Sequence, residues 1–517
     1  MGALSEGTSR VRYGFVIDQR KCIGCHACTV ACKAENDVPL GTFRTWVKYT
    51  EKGSFPNVRR NFLVERCNHC DDAPCVEICP VEALWRRDDG IVDFSTERCI
   101  GCKSCMAACP YDAIYIDPNT HTLGKCNFCA HRVELGLQPA CVNVCPVEAI
   151  ITGDLDDSTS RISQLLSLEP AVVRRPEKGT QPKVFYLGAD ASAVNPEVTS
   201  ERRSYMMAES DPSKPIRITE SIGYVPSGMV QRDYSISHAR PWGWQVSAYL
   251  WTKSIAAGGF LVAAILLLLG TVGSSNQLFT VTAPAVALGF LAVTNVLLVM
   301  DLERPERFWR VMLWPHWRSW LVIGAYILAA YGAVLAAATV VGIAGQTGLQ
   351  RGLLWPGGIL AVAAAGYTAF LLAQAKGRDL WQSQILPAHI VTQAVLAGAA
   401  ALAIPAALVD QNSLRPISTV LALGLGISLC LMLSELSLPH ATAHARQAMN
   451  HMTRGRSAAP FWIGVMTFGT VLPLAFAAWA AAGGPALVGA VAAICALAGL
   501  AWYEDMYIRA GQSVPLS

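Results

Sequence analysis

Residues 99–110 read Cys-Ile-Gly-Cys-Lys-Ser-Cys-Met-Ala-Ala-Cys-Pro. This is C-x2-C-x2-C-x3-C-P, the spacing by which a bacterial ferredoxin run holds a [4Fe–4S] cluster. Cys99, Cys102 and Cys105 are close enough to grip three irons of one cubane. Cys109, after a longer gap, reaches in such runs to a second cluster. The stretch therefore calls for companions, and three more quartets share the first 145 residues. The first is Cys22, Cys25, Cys28 and Cys32, with Lys33 where a proline would stand. The second is Cys67, Cys70, Cys75 and Cys79 before Pro80. The last is Cys126, Cys129, Cys141 and Cys145 before Pro146.

Sixteen of the 18 cysteines are thus spent, enough for four [4Fe–4S] clusters with no ligand missing. Disulfides fit poorly, because the spacing is tight and regular and the opening residues MGALSEGTSRVRYG contain no apolar signal segment. Zinc uses C-x2-C pairs, but four quartets with three C-P endings follow the iron–sulfur grammar. His26 and His69, inside quartets that already have four cysteines, read as neighbours of the clusters. Cys430 and Cys495 stand alone in apolar stretches and read as packing residues.

Charge divides the 517 residues into unlike halves. Residues 1–245 carry 28 Lys+Arg against 30 Asp+Glu; residues 246–517 carry 13 against 8. No basic stripe points to nucleic acid. The expected fold is an α+β double dicluster-ferredoxin domain over 1–190, a polar linker over 191–245, and an all-α eight-helix transmembrane bundle over 246–517. Residues 11–18, 90–94, 113–117, 147–154 and 182–187 read as strands around the cysteine loops. The apolar runs 246–273, 278–300, 319–344, 356–375, 387–409, 416–436, 459–482 and 485–503 are each about long enough for a bilayer, which takes ~20 residues. Tryptophans 242, 244, 320, 355, 381 and 502 sit near their ends, as an interfacial belt would place them.

An even number of spans puts both ends on one side. Loops on that side carry Arg304, Arg307, Arg310, Arg318, Lys376, Arg378, Arg446, Arg454 and Arg456, and the tail adds Arg509. The opposite loops carry Arg351 and Arg415. The positive-inside rule then sets the Fe–S domain in the cytoplasm, at the cell membrane.

Four quartets in this order, with Cys28-Thr-Val-Ala-Cys-Lys-Ala-Glu-Asn36 and Pro182-Lys-Val-Phe-Tyr-Leu-Gly188, resemble the four-cluster subunit of molybdopterin oxidoreductase complexes. Asp301-Leu-Glu-Arg-Pro-Glu-Arg-Phe308, Ser319-Trp320, Arg378-Asp-Leu-Trp381 and Glu435-Leu-Ser-Leu-Pro-His440 resemble the NrfD or polysulfide-reductase type of membrane subunit. The chain looks like a fusion of the two. The resemblance implies that the quartets pair first with fourth and second with third, exchanging their last cysteines. Cys22, Cys25, Cys28 and Cys145 would hold one cluster, and Cys126, Cys129, Cys141 and Cys32 another. It also implies a separate molybdenum or tungsten bis-pyranopterin catalytic subunit as partner, since no nucleotide loop or catalytic motif is present here.

At the membrane end, a b-type haem needs histidine pairs within the spans. His316, His389, His440, His444 and His451 all fall in loops or at span ends, which favours a quinone, menaquinone or ubiquinone. Intramembrane ionisable residues are functional candidates. Tyr249 and Lys253 start span one, Asp301 and Arg304 end span two, His389 begins span five, and Glu435 and His440 end span six. Each also has a structural reading: Lys253 as a snorkelling side chain, the 301–310 loop as a salt-bridged hairpin, His440 and His444 as solvent-facing. Two rivals stand beside a wire with a quinone site. One is an anchor subunit, of a hydrogenase or another respiratory complex, whose spans only tether. The other is a redox-driven ion transporter.

Overall fold

The computed structural model describes residues 11–54, 56–195, 199–201 and 230–517. Residues 1–10, and residues 196–198 and 202–229 of the expected linker, lie outside the described residues.

The Fe–S half is built on two four-stranded sheets. In one, β1 (Tyr13–Asp18) is flanked by β8 (Ile150–Asp154), antiparallel, and β10 (Val184–Leu187), parallel, with β9 (Ala171–Val172) at the edge. The first quartet is thus tied to residues that close the domain more than a hundred positions later. In the other sheet β2 (Thr45–Ser54) and β3 (Asn57–Arg66) form a long hairpin. It is extended by β12 (Val230–Tyr234) and β11 (Thr199–Glu201). Two residue blocks of the expected linker are therefore paired strands. Short hairpins, β4 (Leu84–Arg86) with β5 (Val92–Phe94) and β6 (Ile114–Ile116) with β7 (Leu123–Lys125), follow the second and third quartets.

The long hairpin was not foreseen. Its alternation is broken by charges, and three of those are buried: Lys48, Glu65 and Arg66. Successive residues of a strand face opposite sides, so Glu65 and Arg66 point apart. Glu65 accepts from the Trp46 indole at 2.7 Å and pairs with Lys48 at 3.3 Å and Arg174 at 3.0 Å. Burial pushes the Lys48 ammonium down to about 8, with Glu65 opposing. Burial also works against the Glu65 carboxylate, but Arg174 and Lys48 hold it below its usual range. Arg174 further donates to the Leu516 carbonyl at 2.8 Å, so the residues after the last span are stitched into this centre.

Eight helices are long and apolar enough to cross a membrane: Trp244–Leu268, Leu278–Met300, Trp320–Ile343, Thr347–Gln374, Leu386–Val409, Gln411–Ser437, Pro460–Ala481 and Ala486–Gly511, here spans one to eight. The chain is a multi-pass membrane protein. Span four starts nine residues before its expected 356, with Pro356 inside the helix. Span eight runs past its expected end at 503, carrying Glu504 into the protein.

The two halves pack directly. Span two ends in a loop whose backbone joins the third quartet: Glu303 N–H donates to Gly101 O at 3.2 Å and Arg304 N–H to Ile100 O at 3.2 Å. One apolar cluster runs from Ile78, Ile100 and Tyr111 to Val322 and Leu371 in spans three and four. Spans one and five cross at two glycines. A Cβ on Gly258 would stand 1.7 Å from Ala394 O, and one on Gly398 would stand 1.9 Å from Gly258 C. Gly398→Ala therefore pushes these helices apart, at a cost of about 2 kcal/mol or more by the usual scale of overpacking. We expect a lower Tm in detergent with iron content per chain unchanged; an unchanged Tm would refute the close crossing.

Candidate functional site: a row of cysteine sets above a buried polar cavity

The sixteen quartet cysteines assemble into four sets in space. Cys32 lines one cavity with Cys126, Cys129 and Cys141. Cys109 lines another with Cys67, Cys70 and Cys75. Cys22 lies within electrostatic reach of Cys25, Cys28 and Cys145, and Cys79 within that of Cys99 and Cys102. Neighbouring sets touch in the same sense: Cys28 with Cys141, Cys126 with Cys67, and Cys105 with Cys75. The sets therefore form one row. It starts at the exposed Cys25 and ends at the set of Cys79, Cys99, Cys102 and Cys105 against the membrane half.

These residues fit iron–sulfur clusters. All the cysteines are free thiols. Burial pushes Cys102, Cys109 and Cys126 up to about 12, disfavouring their bare thiolates, which ligation to iron would stabilise. Backbone N–H groups already aim at the sulfurs: Gly101 and Leu123 at Cys99 (3.3 and 3.4 Å), Ala83 at Cys79 (3.2 Å), Ala149 at Cys145 (3.3 Å) and Phe128 at Cys126 (3.4 Å). Thiols accept weakly, whereas cluster thiolates take such donors and are tuned by them.

The membrane-proximal set is clasped by the membrane half. Lys103, beside Cys102, pairs with Asp301 at 3.2 Å and Glu303 at 3.5 Å. Arg304 Nε donates to Thr120 O at 2.9 Å, and Arg307 donates to Cys99 O at 2.7 Å. His316 Nδ1 lies 2.8 Å from Cys79 O, and Ser319 Oγ donates to Ile78 O at 2.7 Å. Asp301 and Arg304 thus belong to the junction between the halves. On the loop before span five, Arg378 faces Asp112 at 3.8 Å and Asp379 pairs with Lys178.

Beneath this junction a cavity opens between spans one, four, five and eight. It is lined by Ser254, His389, Gln393, Tyr503, Glu504 and Tyr507 among the apolar Leu250, Leu372, Leu386 and Ile390. The Tyr503 hydroxyl stands 3.4 Å from His389 Nδ1. His389 Nε2 and Glu504 Oε2 are buried without a hydrogen-bond partner among the described residues. Tyr507 donates to Leu380 O at 3.1 Å, tying the cavity to the loop that meets the third quartet. Glu435 lies within electrostatic reach of Tyr503 and Tyr507.

Of the residues singled out in the sequence, His389 lines the cavity and Glu435 borders it. Tyr249 is buried next to it, within reach of Glu504. Lys253 is fully buried and turned inward, donating to Ala365 O at 2.8 Å and Thr368 Oγ1 at 2.5 Å; it does not snorkel. His440 is half-buried in the loop after span six, outside the cavity. His444 is buried against Arg175, 2.7 Å from its Nε2, and does not face solvent. Glu504, Tyr503 and Tyr507 were missed, because the charged pair Glu504-Asp505 looked like the end of span eight. The signal was Arg509: its Nε holds Asp505 at 2.7 Å, one turn on, while Glu504 turns inward.

Comparison with known proteins agrees with both halves. Residues 14–80 and 58–155 each match a 4Fe-4S dicluster domain, and residues 234–515 match polysulphide reductase, NrfD. The chain is 48% identical over 195 residues to a tetrathionate reductase subunit of Salmonella typhimurium, covering 37% of this chain and 78% of that protein. It is 41% identical over 177 residues to a polysulfide reductase subunit of Wolinella succinogenes (34% and 93%). It is 37% identical over 225 residues to the arsenate respiratory reductase iron–sulfur subunit ArrB of a Shewanella species (34% and 96%). The chain belongs to the polysulphide reductase NrfD family, and joins to that membrane subunit, in one polypeptide, the 4Fe-4S dicluster electron-transfer subunit of reductase complexes.

Proposed function

We propose that this chain carries electrons through four [4Fe–4S] clusters between a molybdenum or tungsten bis-pyranopterin catalytic subunit and a membrane quinone, menaquinone or ubiquinone. The observation that carries the reading is the row of cysteine sets ending against the membrane half, which also holds the cavity of His389 and Glu504. The clusters supply one-electron storage and transfer. The protein does the rest. It closes water away from the sulfurs, spaces the sets, and holds a polar cavity at the membrane end.

The cavity residues suit a quinol head group. Oxidation of a quinol releases two electrons and two protons. His389 Nε2 and Glu504 Oε2 lack protein partners among the described residues and can meet the two kinds of polar group on such a ring, while Leu250, Leu372, Leu386 and Ile390 flank it. Lys253 and Thr368 fix the neighbouring wall, and Tyr249 and Glu435 border it. Asp301 and Arg304 hold the membrane-proximal cysteine set in place, and His440 stands in the adjoining loop. We expect His389→Leu and Glu504→Gln each to lower the rate of cluster reduction by quinol at least tenfold, with all clusters assembled. Retention of the wild-type rate in both would overturn this site.

The catalytic subunit docks at the other end. Close to the exposed Cys25 in the chain are Ile23 and Val30, exposed at 56% and 65%, and Leu40 in the loop that follows is exposed at 92%. Apolar residues so exposed beside a redox centre suit a protein partner. Val30→Glu is expected to reduce co-purification of the catalytic subunit and leave cluster content intact. Equal co-purification would refute this face.

The cytoplasmic placement of the Fe–S half rests on the arginine asymmetry of the loops. Cysteines introduced into the loop 274–277 then react with an impermeant reagent from outside the cell. Protection there, with reaction only after lysis, would reverse the orientation.

A further inference from the structure

The second set along the row, Cys32 with Cys126, Cys129 and Cys141, has an unusual neighbour. Arg66 closes β3 fully buried, 1% exposed. Its Nη1 donates to Cys141 Sγ at 3.1 Å, and its guanidinium lies 4.4 Å from the centre of the Phe15 ring. Its Nε and Nη2 have no hydrogen-bond partner among the described residues. The adjacent carboxylate, Glu65, faces the other side of the strand and is occupied by Lys48 and Arg174. Arg66 is thus a permanent cation, unmatched by a carboxylate contact among the described residues, between Cys141 of its own set and Cys28 of the next. A second buried cation, Lys125, bears on Cys75 of the third set. Lys125 Nζ donates to Cys126 O at 3.0 Å and to Val92 O. Asn36 Nδ2 stands 3.8 Å from both Cys32 and Cys129 Sγ.

His69 adds a directed donor nearby. Its Nδ1 accepts from Val92 N–H at 3.1 Å, so the proton of the neutral ring sits on Nε2. That N–H is buried without a partner among the described residues.

We infer that Arg66 makes the set of Cys32, Cys126, Cys129 and Cys141 the electron-holding station of the row, the member that is reduced most easily. Taking up an electron makes a cluster more negative, and a fixed cation at 3.1 Å from a ligating sulfur favours that state in a low-dielectric interior. Arginine keeps its charge at every working pH, so the bias needs no proton. An electron held there comes from one neighbouring set and leaves to the other. The supply is quinol or the catalytic subunit. The inference rests on the four-cluster reading above.

The test is a potentiometric titration of the purified full chain, followed by EPR, for wild type, Arg66→Gln and Arg66→Lys. The expected result is four [4Fe–4S] signals in wild type. Arg66→Gln lowers the one-electron equilibrium constant of the highest-potential signal tenfold or more, about 59 mV, and Arg66→Lys shifts it by less. Fewer than four centres in wild type would overturn the four-cluster reading itself. Four centres with unmoved midpoints in Arg66→Gln would overturn only the role of Arg66. If Arg66→Gln fails to assemble, Asn36→Asp decides: it places a negative charge on the same set, and lowers the same signal if local charge governs that set. No shift in Asn36→Asp overturns the inference.

Discussion

Packing sixteen cysteines, twelve of them buried, into one small domain is the constraint on which the rest of this structure depends. Apart from the long β2–β3 hairpin, the Fe–S half has short strands and helices around its cysteine loops, and cysteines make up much of its apolar clusters. An apolar site disfavours a thiolate and gives a thiol little to bond. Cluster ligation resolves both at once, and couples assembly of the metal centres to folding of the chain. Backbone N–H groups aimed at Cys79, Cys99, Cys126 and Cys145 are already arranged for that state. The two four-stranded sheets then close the domain around the row.

The second constraint is the union of an Fe–S domain with a membrane bundle. The contact is made by backbone as much as by side chains. Loop 301–319 pairs with the third quartet and with residues 78–80, and the residues after span eight reach Arg174 and Arg232. Backbone pairing of this kind fixes the last cysteine set on the bundle. Long cationic side chains at the junction, Lys103, Arg304 and Arg307, are consumed by it. His389 and Glu504, whose Nε2 and Oε2 lack partners among the described residues, line the cavity between spans one, four, five and eight.

Much of this was legible in the sequence, because cysteine spacing is a local code and bilayer crossing needs only length and apolarity. Strands β1, β5, β6, β8 and β10 all fall within their expected stretches, as do the cores of all eight spans. The long β2–β3 hairpin was not legible. Its buried charges imitate an exposed loop, and only tertiary pairing of Glu65 with Lys48 and Arg174 explains them. Glu504 was hidden for a related reason: a charge near a helix end looks like a boundary until the fold shows which way it turns. Asp301 and Arg304 were read as quinone candidates and lie instead in the junction between the halves; spacing along the chain does not reveal that Lys103 and Thr120, nearly two hundred residues away, are their partners.

The central claim is that the wire and its membrane terminus are on this one polypeptide. The most direct measurement is an anaerobic titration of the oxidised, purified chain with a menaquinol or ubiquinol analogue, with no catalytic subunit present, monitored by EPR. The predicted result is that quinol alone brings up [4Fe–4S] signals, and that they fade when a quinone of higher potential is added. Assembled clusters that stay silent to quinol, while dithionite reduces them, would contradict the claim.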